Sequence, residues 1–102
     1  MSMKDNNIIE YWKLILEISD WEVITQRIEK NQIEYDDQKY FIGIERDFNN
    51  KKAIIYHDID LYEEAILHEL LHIKHKRIPG TTFEEYEGFI CRKTDEYLEE
   101  FR

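Results

Sequence analysis

The chain has 102 residues, enough for one domain (1–102) with a modest core and too few for two. Its 14 basic and 23 acidic residues leave a net charge of −9, a surface that repels phosphate backbones and argues against nucleic acid as a partner. One cysteine excludes an internal disulfide framework, and no apolar run approaches the roughly 18 residues of a membrane span or resembles a signal peptide, so a soluble, cytoplasmic chain is expected.

Residues 6–18 carry Ile8, Ile9, Trp12, Ile15, Leu16 and Ile18 at helical spacing, with Asp5 and Asn6 as caps and Ser19 and Asp20 closing the segment. This first helix is expected to pack across the back of a sheet. Residues 21–29 read as a strand, because Trp21, Val23 and Thr25 alternate with polar side chains. A polar stretch with Asn31, Asp36 and Asp37 follows. Residues 39–45 and 53–57 then form the two arms of a hairpin around Asn49, Asn50 and Lys51, with Gly43 marking a bulge or the close approach of another backbone. The expected class is α+β, with a small, mainly antiparallel three-stranded sheet.

Two further helices complete the chain. One spans about 61–76, with Asp60, Glu63 and Glu64 at its acidic start and Lys74, Lys76 and Arg77 at its basic end. Ile78, Pro79 and Gly80 stop it. Thr82 and Glu85 fit a capping box that opens the last helix, which runs nearly to the C-terminus and packs antiparallel to its predecessor.

The chemistry is concentrated in the first of these two helices. His68 and His72 are four apart, so their side chains stack on one helical face and can grip a single Zn²⁺, with Glu69 beside its open position. A catalytic zinc site needs a third protein ligand, and the facing helix offers Glu84, Glu85 and Glu87. Helix phase favours Glu87, which falls within the stripe of Phe83, Ile90, Thr94 and Phe101; Glu85 points nearly opposite and Glu84 lies at the edge. A carboxylate on an apolar face is costly unless it meets a cation.

His75 cannot join the same ion, because it lies about 10 Å from His68 along the axis, and a solvated or capping role suits it better. His57 is expected at the surface, and Cys91 as a small packing residue. Glu69 would act as general base, and Tyr62, Tyr86 or His57 could steady an oxyanion. The strand at 53–57 could hold an extended peptide by β-addition.

The order of helix, three short strands, helix with His68-Glu69-Leu70-Leu71-His72 and final glutamate-bearing helix resembles the minigluzincins, soluble metallopeptidases of minimal gluzincin type. The likeness covers nearly the whole chain in layout but only residues 53–75 in motif. That stretch is also similar to the catalytic segments of membrane-embedded peptidases of the prenyl-protein and receptor-sensor type. The resemblance implies zinc ligands at His68 and His72 and a general base at Glu69. Relatives often place a small residue three positions and an Asp four positions after the third ligand. That pattern points to Glu85, where Gly88 matches and Phe89 does not, while helix phase points to Glu87.

The resemblance also implies latency through the C-terminal segment, here 95–102, whose carboxylates and aromatics are expected to cover the site from its own chain or by exchange within a homodimer. The expected function is that of a zinc metallopeptidase with one Zn²⁺ and a peptide or protein substrate. The alternative is a non-catalytic zinc-binding interaction module.

Overall fold

Ile9, Trp12 and Leu16 are fully buried and follow the helical period read from the sequence. They belong to α1 (Met3–Ile15) and the turn after it in a computed structural model that describes residues 3–30, 32–35 and 38–102. The helix starts earlier than expected, so Asp5 lies in its first turn and does not cap it. It also ends earlier. Glu17 takes a left-handed conformation (φ 60°), the Ile18 N–H reaches back to the Lys13 carbonyl, and Leu16 and Ile18 enter the core from the turn. Glycine usually fills this left-handed position because it has no Cβ to crowd the carbonyl. Glu17→Gly is therefore expected to stabilise the fold by about 1 kcal/mol, some 4–8 °C in Tm for a domain of this size. A calorimetric Tm that stays put or falls would show that the Glu17 side chain offsets its own strain.

α1 packs along α2 (Glu63–Lys74), and its Ile9 and Trp12, with Leu16 of the following turn, share one buried core with the sheet residues Val23, Ala53 and Ile55. Trp12 Nε1 donates to Glu63 at 2.8 Å, and Lys74 Nζ reaches the Leu16 carbonyl at 2.9 Å, which pins both ends of the contact.

The sheet has the order β1 (Glu22–Arg27), β5 (Lys52–His57), β4 (Ile42–Asp47). The β4–β5 pair is the expected antiparallel hairpin, but β1 runs parallel to β5, so the sheet is mixed. The segment expected as one strand at 39–45 breaks at Phe41. Its first part, β3 (Gln38–Tyr40), pairs antiparallel with β2 (Ile33–Tyr35), which lies in the stretch expected as a polar connection. Asn31, Asp36 and Asp37 lie outside the described residues. No bulge occurs at Gly43, which faces Tyr56 in regular register. The close approach there comes from a side chain: a Cβ at Gly43 would meet Ile33 Cγ2 at 3.1 Å.

Register decides which strand residues face the helices. Ala53, Ile55 and His57 are buried, and their partners on β4, Arg46, Ile44 and Ile42, share that inner face. His57 is thus not at the surface: it is 8% exposed, and its Nδ1 lies 2.7 Å from the Ile59 carbonyl.

The last helix, α3 (Phe83–Phe101), opens on the expected capping box between Thr82 and Glu85 and runs antiparallel to α2. Its start meets the end of α2 through Tyr86 and His75, and its end meets the start of α2 through Arg102 and Glu63. Residues 95–102 lie against α1, where Phe101 packs edge-on to Trp12 and the Tyr11 hydroxyl donates to the Phe101 carbonyl. Within this chain they do not cover the site described below. Among the described residues, no helix is long and apolar enough to cross a membrane.

Candidate metal centre

Ile66, Leu67, Leu70, Leu71 and Ile73 bury one side of α2 in the core, which turns His68 and His72 towards α3. Their imidazole centroids lie 5.1 Å apart. From α3, Glu87 places one carboxylate oxygen 3.0 Å from His68 Nε2 and the other 2.9 Å from His72 Nε2. The Glu87 carboxylate thus bridges the two imidazoles, one oxygen to each ring, and draws the three side chains together. The three donor atoms lie within 4.8 Å of one another, and the group could hold a metal ion.

The alternatives for the third position are placed elsewhere. Glu85 donates its backbone N–H to the Thr82 hydroxyl at 3.0 Å, and its carboxylate faces the Thr82 N–H at 3.4 Å. Glu84 is exposed and, like Glu85, does not line the cleft above the cluster; Glu87 does.

The electrostatics follow from burial and pairing. Burial raises the Glu87 carboxyl, but the hydrogen bonds and charges of His68 and His72 overcome this and hold its pKa at about 2. Burial depresses His68, yet the bond to Glu87 and the charges of Glu69, Glu87 and Glu64 leave its pKa above the ordinary value. Glu69 is 5% exposed, and burial pushes its carboxyl up against the pull of the two imidazoles. A carboxylate in such surroundings is a stronger proton acceptor than one in water.

A cleft of about 590 Å³ opens above the three donors and Glu69. It wraps the outer edge of β4, which pairs with no other strand among the described residues, and Ile33 and Tyr40 of the β2–β3 ribbon close its far side. The strand expected to receive an extended peptide, 53–57, is the central strand β5 with both edges occupied, whereas β4 is the edge strand that lines the cleft.

Several other expected residues also have clear positions. Tyr86 and Tyr62 line the cleft, whereas His57 does not. The Tyr86 hydroxyl already donates to the His75 carbonyl, and Tyr62 is half exposed. His75 caps the C-terminus of α2 and donates its backbone N–H to the Leu71 carbonyl, and it is not in the group whose ligand atoms converge. Cys91 is not a packing residue. It is exposed one turn beyond Glu87, with Sγ 4.0 Å from His68 Nδ1. Sequence reasoning passed over Arg46, a cleft residue one position beyond the expected end of its strand at 45, whose inward placement comes from the observed β4 register.

No family model, curated protein or solved structure matches the chain.

Proposed function

We propose that the chain is a zinc-dependent metallopeptidase of gluzincin type, acting on extended polypeptide. The observation that supports this reading is the convergence of His68, His72 and Glu87 with the buried Glu69 directly after the first histidine. In this reading the three residues hold one Zn²⁺ per chain. When bound, it would supply the Lewis acidity that lowers the pKa of a coordinated water to about 7.

The protein's own contribution is proton management and alignment. Glu69, with its affinity for protons raised by burial, accepts the proton of the attacking water and returns it to the departing amine. The outer edge of β4, which pairs with no other strand among the described residues, offers main-chain donors and acceptors to an extended substrate, which would lie along the cleft as a further strand. Tyr62, half exposed at the rim, is a cleft tyrosine whose hydroxyl would donate to an oxyanion. A chain with one free, exposed cysteine suits a reducing compartment, in keeping with a cytoplasmic enzyme.

The direct test is to load the purified full chain with zinc and incubate it with an unstructured protein substrate, with and without a strong chelator. Chelator-sensitive cleavage and one zinc per chain are expected. Stoichiometric zinc without cleavage would favour the non-catalytic binding module, and the absence of zinc would sink both readings.

A further inference from the structure

Strand alternation assigns positions 42, 44 and 46 of β4 to the inner face of the sheet. Ile42 and Ile44 fill the first two with apolar side chains, and Arg46 breaks the pattern. A guanidinium at such a position is stable only where its donors find acceptors. Arg46 Nη1 donates to the main-chain carbonyl of His72 at 2.6 Å and lies 3.4 Å from the Tyr86 hydroxyl.

His72 sits in the last turn of α2, whose final carbonyls have no amide ahead of them in the helix. The Leu71 carbonyl is taken by the His75 N–H, and the His75 carbonyl by the Tyr86 hydroxyl. The turn that carries the second imidazole is thus fastened from the sheet by Arg46 and from α3 by Tyr86. The Tyr86 ring also stands edge-on to the imidazole, with centroids 5.0 Å apart. A cation at a helix C-terminus is favourable to the helix dipole as well.

We propose that Arg46 is a positioning residue for the metal centre, holding the last turn of α2 so that His72 Nε2 stays aimed at the point where His68 and Glu87 converge. The proposal rests on reading that cluster as a metal site. Without the Arg46 bond, the terminal turn loses its tie to β4 and the His72 imidazole its fixed direction, so the ion meets a poorly aligned ligand.

The test uses the full chain, titrated with Co²⁺ while its visible bands are recorded, and with Zn²⁺ against a chromophoric chelator. The wild type is expected to bind one ion, Arg46→Met to bind it about 10–100-fold more weakly with altered cobalt bands, and Arg46→Lys to recover most of the loss. Arg46→Gln, polar but too short to reach the His72 carbonyl, gives the same reading should the methionine variant not fold. A variant with a lower metal-free Tm but unchanged affinity and bands would make Arg46 a residue of the fold alone and overturn the proposal. So would the failure of both Met and Gln variants to fold. A wild type that binds neither ion is a different result, because it removes the metal site itself.

Discussion

Glu69→Gln is expected to reduce peptide hydrolysis by about 10²–10⁴-fold while leaving zinc in place. Glutamine keeps the size of the side chain and loses the ability to take a proton. The same substitution should stabilise the metal-free protein at neutral pH. Burial raises the Glu69 carboxyl above its unfolded value of about 4.3, so the folded state pays for ionising it. Stability from this group is intact below the unfolded pKa and declines as pH rises through the folded one. Denaturation curves of wild type and variant should therefore coincide more closely in acid than at neutrality. Undiminished hydrolysis by a homogeneous Glu69→Gln preparation would remove Glu69 as the base.

Loss of any one of His68, His72 and Glu87 should weaken zinc binding by more than the roughly 100-fold that outer-shell changes reach. Alanine at each of the three is expected to give zinc-poor protein after dialysis, whereas Glu84→Ala and Glu85→Ala should retain the metal. Full zinc in Glu87→Ala combined with loss in Glu85→Ala would transfer the third ligand to the position favoured by motif comparison. Acid should have a similar effect on the wild type. His68 is protonated more readily than a free imidazole, so protons compete with the metal as pH falls through and below that raised value.

The parts of the site legible in the sequence were those set by short spacings. The i, i+4 pair of His68 and His72 and the Thr82–Glu85 capping box are both fixed within one or two turns of helix, and the described geometry contains both. Helix phase, which separates Glu87 from its neighbours by about 100° per residue, was enough to place its carboxylate among the imidazoles. What depended on pairing between distant segments was not legible. The parallel β1–β5 register, the centrality of β5 and the burial of His57 arise from contacts across some thirty residues, which no local pattern encodes. The three-residue strands β2 and β3 are too short for alternation to show. Cys91 was misjudged because it follows Glu87 by four places and so shares its helical face, whereas the structure leaves it exposed one turn beyond Glu87.

All three donors fall between His68 and Glu87, on two antiparallel helices joined by one short connection. The loop that must close to bring them together is therefore short, and its closure entropy small. A metal ion could bind a nascent helical hairpin before the parallel strand pair, whose partners are more widely separated in the chain, has formed. Metal supply would then act on the order of folding events as well as on the finished site, with the hairpin as an early, ion-clamped nucleus and the sheet docking onto it afterwards.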